Sequence, residues 1–382
     1  MSDKCNFETR AVRGASGGDR ITGAISFPIY QSATFKHAGL NESTGYDYSR
    51  LQNPTVEELE KTVALLEKGE EALAFATGLA AITCCIHLFK GGDHVIISED
   101  LYGGTFRLFH DIYNDLGIEA TFVDTRNLEE VEKAVKKNTK GILIETPSNP
   151  SLRITDIRAI GKIAKTNNLI FIVDNTFLTP YYQRPLELGA DVVVHSGTKY
   201  LGGHNDVLAG LIVVKDKTHV ERLKYIQMST GATLGAFEAW LVLRGIKTLH
   251  IRLDRSQDNA IAVANWLDKQ EEITEVHYVG IVGSEGYEIN KSQSSGFGTT
   301  LSFRVKDIGL VAKILKSVKV VSFAESLGGV DLLITYPFTQ THAEMPDDLR
   351  KKLGVDEYLL RLSVGIENID DILGDLKQAI KG

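Results

Sequence analysis

Cysteine is scarce in this chain, three residues in 382. Cys84 and Cys85 are adjacent and Cys5 stands near the start, so no disulfide framework can be built from them. The pair lies inside the apolar helical stretch "GLAAITCCIHLF" and reads as small core side chains. Long apolar runs are also missing. None approaches the ~18 residues of a membrane span, and "MSDKCNFETR" has no apolar signal region. The expectation is a cytoplasmic protein in a reducing compartment, without a membrane partner. A basic excess is missing too: 42 Lys and Arg face 50 Asp and Glu, for a net charge of −8. With no basic stripe, a nucleic-acid partner is not expected, and the charge serves solubility. Several catalytic signatures are absent. There is no G-x-G-x-x-G at a strand–helix junction and no G-K-[ST] phosphate loop. No G-x-S-x-G elbow joins a strand to a helix. "HAE" at 342–344 is similar to the start of a zinc-deaminase signature, but no P-C-x-x-C follows. No metal site is expected.

What is present is an alternation. At 382 residues the chain exceeds the size at which one core stops growing, so two domains are expected. Residues 1–55 are poor in helix signals and read as an arm lying over something else. The next stretch, "QNPTVEELEKTVALLEKGEEA", predicts a helix with Asn53 as N-cap, Pro54 in the first turn, Glu57 and Glu58 at its positive end and Gly69 as C-cap. From about 70 to 215, short apolar runs ("ALAFA", "HVIIS", "EATFV", "GILIE", "LIFIV", "DVVVH", "GLIVV") alternate with amphipathic helical stretches such as "NLEEVEKAVKKNTK" and "ITDIRAIGKIAKTNN". Continuous apolar strands between helices predict an α/β fold with a mostly parallel sheet covered on both faces. Helical periodicity dominates from 220 to 268. Beyond 270, strand candidates "EVHYVG", "TTLSFRV" and "LLRLSVGIE" mix with helix candidates "IGLVAKILKSV" and "NIDDILGDLKQAIK". The reading is a large domain over 56–250 and a smaller α+β domain over 251–382.

Five polar or flexible groups follow five of the central runs: Gly78 opening a helix, Tyr102, Asn149, Asp174 and Lys199. Taken singly each has an ordinary explanation: a tight turn, packing, an Asn-Pro turn, a turn cap and a surface lysine. A parallel sheet would place all five at one crevice, where such sheets bind ligands. One ligand needs them together, pyridoxal 5′-phosphate (PLP). Its aldehyde needs a lysine amine, here Lys199, for a Schiff base. Its ring nitrogen needs a carboxylate, here Asp174. Its phosphate wants backbone N–H groups at a helix start, from Gly78 and Leu79, and hydroxyls, from Ser196 and Thr198 beside the lysine. Tyr102 offers a ring to stack on, and Asn149 a polar neighbour for the ring hydroxyl. The other-class alternative is a non-catalytic module that binds a phosphorylated ligand.

These residues lie in stretches that resemble the Cys/Met-metabolism PLP-dependent enzymes, the trans-sulfuration family. The stretches are "YSRLQNPT" (48–55), "ATGLAA" (76–81), "DLYGGTFRLF" (100–109), "ETPSNP" (145–150), "VDNTF" (173–177), "HSGTKYLGGH" (195–204), "AESLGG" (324–329), "THAEMP" (341–346) and "LRLSVGIE" (360–367). The resemblance implies fold type I PLP architecture, small amino-acid substrates, and a homotetramer of two dimers with shared active sites. It implies that Tyr48 and Arg50 reach a neighbour's cofactor phosphate, and that Arg361, assisted by Ser326, grips the substrate α-carboxylate. It also implies that Tyr102 stacks on PLP and moves protons. Independently, Arg361 lies in the apolar run "YLLRLSVGI", where an unpaired charge would be expensive. Gly104 stands where the family's methionine γ-lyases resemble one another in having cysteine. Gly104 and Glu325 are similar to cystathionine γ-synthases and γ-lyases, and Glu325 is placed to meet the amino end of cystathionine or cysteine. "ITYPFTQTHAEMP" looks more like γ-synthase or homoserine-ester sulfhydrylase sequences. Gly197 departs from the alanine of most relatives. The expected reaction is cystathionine γ-synthesis from an acyl-homoserine and cysteine. Cystathionine γ- or β-lysis and O-acetylhomoserine sulfhydrylation are the alternatives.

Overall fold

The computed structural model describes residues 5–343 and 345–382. Two sheets organise it. The first has seven strands: β1 Glu71–Phe75, β2 His94–Ser98, β3 Glu119–Val123, β4 Thr139–Glu145, β5 Ile170–Asp174, β6 Val192–Ser196 and β7 Gly210–Val214. Their spatial order is β1-β7-β6-β5-β4-β2-β3. Only β7 runs against its neighbours, so β1, β2, β4, β5 and β6 all end on the same edge. The expected mostly parallel α/β sheet is what forms.

The central strands are largely apolar because both faces are covered, whereas the edge strand β3 is only partly buried. Val95, Ile97, Ile172, Val192 and Val194 join a core on one face, and the residues between them, Ile96, Phe171, Val173 and Val193, join the core on the other. The helix Ile157–Thr166 shows how covering elements are specified. Asp156 caps it by accepting from the Ala159 N–H at 3.0 Å. Its residues Ile157, Ile160, Gly161, Ile163 and Ala164 form the buried stripe.

The helix Pro54–Glu67 starts as expected, with Asn53 accepting the Thr55 N–H at 3.0 Å. It ends differently. Lys68, not Gly69, adopts the left-handed conformation, with φ 58°. Gly69 is required by packing, since a side chain there would run into Val213 and the Val214 carbonyl of β7. "NLEEVEKAVKKNTK" is helical only over Leu128–Ala134.

The second sheet has five strands: β8 Ile273–His277, β9 Thr300–Val305, β10 Ser322–Phe323, β11 Leu333–Thr335 and β12 Leu359–Ser363, in the order β10-β11-β12-β9-β8. With the helices Ile308–Ser317 and Ile369–Lys381 it makes the smaller α+β layer. β10 and β11 were not foreseen, because two and three residues are too short to show a period. The helices Ala236–Ile246 and Leu249–Leu267 lie between the two sheets in sequence.

The N-terminal stretch holds one short helix, Phe7–Arg13, followed by irregular chain. It is fastened to the helix Pro54–Glu67 by Ser16, whose N–H donates to Glu58 Oε1 at 2.9 Å. Ile21, Ile25 and Leu40 on it are exposed. Among the described residues no helix is long and apolar enough to cross a membrane.

Candidate active site

The common strand edge of the first sheet and β12 of the second enclose a cavity of about 310 Å³. Gly78, Leu79, Tyr102, Asn149, Asp174, Ser196, Thr198, Lys199, Glu325, Ser326 and Arg361 all line it. Tyr48 and Arg50 do not. Tyr48 is 44% exposed, and Arg50 lies 5.5 Å over its ring while donating to the Met228 carbonyl at 2.8 Å.

Lys199 sits in a tight turn after β6, closed by Gly202 N–H to Gly197 O at 2.9 Å and Gly203 N–H to Lys199 O at 2.7 Å. Its Nζ donates to Ser326 Oγ at 2.7 Å. Burial, and then the Arg361 charge, pull its pKa down to about 8, against the opposing pull of Glu325. A lysine with pKa near 8 is neutral in about a tenth of molecules at pH 7, several hundred times more often than an ordinary one.

Asp174 ends β5. Its Oδ1 accepts from Thr176 N–H at 3.0 Å and Thr176 Oγ at 2.6 Å, so it caps a turn and lines the cavity at once. Glu145 ends β4 directly beside it in register. Burial and the Asp174 charge push Glu145 well up. Asp174 is raised by burial too, but the Thr176 bonds hold it down. Of two adjacent buried carboxyls only one readily ionises, and the Thr176 donors favour Asp174 as the anion. Glu145 Oε2 accepts the Tyr102 N–H at 2.8 Å, fixing the backbone that carries the ring.

Glu145 and Thr176 were not singled out from sequence, although they lie in "ETPSNP" and "VDNTF". Glu145's signal was its place at the end of a neighbouring parallel strand, level with Asp174.

Gly78 begins the helix Gly78–Ile86, capped by Thr77 through the Ala80 N–H at 3.0 Å. A Cβ at Gly78 would stand 2.9 Å from that of Ser196, so glycine lets the helix start approach the lysine turn closely. The Thr198 hydroxyl is already engaged, accepting from the Ala209 N–H at 3.0 Å and donating to its carbonyl at 3.3 Å. A Cβ at Gly104 would lie 2.5 Å from Tyr102 Cε1, so residue 104 decides where that ring can stand. At Gly197 a Cβ would meet that of Ala209 at 3.0 Å. The space there is tight, so Gly197 suits Ala209 as its neighbour.

Arg361 is on β12, inside the second sheet, and is 1% exposed. It donates to Asn149 Oδ1 at 2.8 Å, the Ser326 carbonyl at 2.8 Å and Thr335 Oγ1 at 3.1 Å. All are neutral, its Nε has no hydrogen-bond partner among the described residues, and burial lowers its pKa to about 10. Ser326 holds φ 96°, outside the ordinary range of an L-residue. His342 is buried, within 3.0 Å of the Asn149 carbonyl, and burial drives its pKa down to about 4. Glu344 of "HAE" lies outside the described residues. Among the described residues no group of three His, Cys, Asp or Glu could hold a metal.

The arrangement offers a half-buried amine, a guanidinium lacking a carboxylate partner among the described residues, a carboxylate pair and a helix start at one cavity. The family model described as "Cys/Met metabolism PLP-dependent enzyme" matches residues 8–381. The cystathionine γ-lyase of Bacillus subtilis is 47% identical over 374 residues, covering 98% of this chain and 99% of that one. The cystathionine γ-synthase of Haemophilus influenzae is 46% identical, covering 99% of each. Among solved structures, the cystathionine γ-lyase of Lactobacillus plantarum with L-serine superposes with a TM-score of 0.96 at 42% identity, covering 98% of each chain.

Proposed function

The chain belongs to the Cys/Met metabolism PLP-dependent enzymes, as a trans-sulfuration enzyme of small amino acids, and we propose that within the family it joins an acylated homoserine to cysteine at Cγ, giving cystathionine. The observation that carries this reading is Glu325. It is a carboxylate lining the same cavity as Arg361, and the two act on Lys199 with opposite sign. A substrate α-carboxylate bound at Arg361 leaves Glu325 for an amino group farther out. Cysteine carries such a group, whereas a bare sulfide donor does not.

The residues fit PLP on observations independent of family. Arg361 Nε has no hydrogen-bond partner among the described residues, the Gly78 approach opens a helix start beside Ser196, and Lys199 is half-buried with a lowered pKa. The bound cofactor supplies an electron sink for a carbanion at Cα. In our reading Gly78 and Leu79 N–H groups with the Ser196 and Thr198 hydroxyls hold its phosphate. Thr198 releases its longer bond to Ala209 to do so. Asp174 would keep the ring nitrogen protonated. Asn149, whose oxygen accepts from Arg361, would offer its NH₂ to the ring hydroxyl, and Tyr102 would offer a ring to stack on. Arg361 and Ser326 orient the α-carboxylate, so that Lys199 stands as the base that takes the Cα proton and redelivers it during loss of the γ-substituent. Tyr102 is the second proton carrier.

Tyr48 and Arg50 act in the neighbouring subunit of a dimer, two of which make a tetramer. What supports this is their exposure and their separation from their own cavity, together with the apolar exposed residues of the arm. Mixing Lys199→Ala and Arg50→Ala subunits, each inactive alone, then restores activity, and a mixture that stays inactive removes the shared site.

A second reading, cystathionine γ-lysis, is favoured by the 47% identity to a γ-lyase. One assay separates them: acetyl- or succinyl-homoserine with cysteine in one vessel, cystathionine alone in another, products identified by mass. Cystathionine formed in the first supports synthesis. Cleavage in the second with no product in the first replaces synthesis by lysis.

A further inference from the structure

Arg252 is a buried cation that the reaction does not use. It lies on the helix Leu249–Leu267 and is 6% exposed. Among the described residues its bonds are to neutral acceptors: Nη1 donates to the Tyr200 carbonyl at 2.9 Å, Nη2 to the Gly245 carbonyl at 2.8 Å and Nε to Thr248 Oγ1 at 3.1 Å. A guanidinium buried without a counter-charge is costly, and an apolar side chain of similar volume is often the more stable choice. The planar fork does something an apolar chain cannot, bridging two carbonyls at fixed spacing.

Those carbonyls belong to different parts of the site. Gly245 is in the last turn of the helix Ala236–Ile246. Tyr200 follows Lys199 in the turn that closes at Gly203. Gly203 has φ 72°, and a side chain there would overlap the Arg252 guanidinium. The same turn holds the second sheet's loop, because Val330 N–H donates to the Gly203 carbonyl at 3.0 Å. A Cβ at Gly328 would come within 2.8 Å of the Tyr200 nitrogen. Glu325 and Ser326 are on that loop.

We propose that Arg252 is a positioning residue for Lys199: it clamps the turn Lys199–Gly203 to the helix Ala236–Ile246 and so sets where the amine stands against Glu325 and Ser326. This rests on the reading of Lys199 as the cofactor lysine. Borohydride labelling of the wild-type Lys199 peptide tests that reading separately.

The test compares Arg252→Lys and Arg252→Gln with Thr248→Ala and Thr248→Ser. Each is scored for borohydride-fixed cofactor on Lys199, kcat and KM per labelled subunit, and the pH midpoint of the cofactor's visible absorbance. The substrate is whichever the wild type turns over. Arg252→Lys keeps the charge but loses the fork. We expect labelling to persist, kcat per labelled subunit to fall ~10- to 100-fold, KM to change by less than about threefold and the absorbance midpoint to move. Thr248→Ala, which removes the Nε acceptor together with the hydroxyl's own bond to the Gly245 carbonyl at 3.3 Å, shows the same change at a smaller size, and Thr248→Ser restores it. Arg252 variants with wild-type kcat and midpoint, even if they melt lower, overturn the proposal. If neither Arg252 variant folds, a folded Thr248→Ala with wild-type kcat and midpoint overturns it equally.

Discussion

The two sheets supply the cavity in different ways. The seven-stranded sheet contributes from strand ends and the turns beyond them, with Asp174, Lys199, Tyr102 and Asn149 standing where the ladder stops. The five-stranded sheet contributes Arg361 from within β12, hydrogen-bonded to β11 on one side and β9 on the other. At a strand end a buried polar residue can be answered by the backbone and hydroxyls of the turn beyond it, as Asp174 is by Thr176. Inside a sheet a buried guanidinium costs several kcal/mol unless a charge answers it. The first sheet thus answers Asp174 and Glu145 with donors of its own. The second holds one expensive cation whose cost a substrate carboxylate would offset.

That contrast orders the expected effects. Lys199→Ala is the largest: turnover falls ~10²- to 10⁴-fold or more while the circular dichroism spectrum is unchanged. Near-normal turnover would remove the strand-end amine from the chemistry. Arg361→Ala comes next. Charge-assisted hydrogen bonds contribute about 1.5–3 kcal/mol each, so steady-state kinetics should show KM for the amino-acid substrate rising on the order of 10- to 100-fold. Arg361→Lys should not rescue it, because a point charge cannot replace the fork. An unchanged KM would mean that the buried cation is only structural.

The pH dependence distinguishes the two sheets at smaller amplitude. Lys199 is lowered to about 8, so in the cofactor-free protein it binds fewer protons than in the unfolded chain between about 8 and its ordinary value of 10.5. Stability of the apoprotein therefore rises with pH across that window, and the cost of the buried ammonium is fully present below it. Denaturant melts of wild type and Lys199→Met at pH 7 and pH 10 read this out. The gap between them should shrink at the higher pH, and a constant gap would contradict the lowered pKa. Smallest is Gly104→Ala, whose Cβ would crowd the Tyr102 ring. We expect kcat/KM to fall ~2- to 10-fold with a changed near-ultraviolet dichroism. Unaltered kinetics and dichroism would free residue 104 from any hold on Tyr102.

The same contrast explains what was legible in the sequence. All seven strands of the first sheet were visible, because burial on both faces makes the central ones short continuous apolar runs and the edge strand β3 keeps a β-rich sequence between turn signals. The groups after them followed once parallel order was assumed. Arg361 was visible as a charge in an apolar run. Glu145 and Thr176 were not, since their roles come from lying beside Asp174 in space. Gly69 was read as a cap because caps are its commonest use, whereas the close approach of β7 is a tertiary fact. β10 and β11 were too short for any period. The exposed Tyr48 and Arg50 took meaning only from the family pattern, since a role in a neighbouring site would depend on assembly.

The central claim is that a strand-end lysine of one sheet and a buried arginine of the other act on a single substrate. The most direct measurement is the fraction of subunits whose Lys199 peptide carries borohydride-fixed cofactor, with and without saturating amino-acid substrate, in wild type and Arg361→Ala. Substrate should displace the lysine and sharply lower that fraction in the wild type, but leave it high in the variant at the same concentration. Equal loss of label in both proteins, or label on a different lysine, would contradict it.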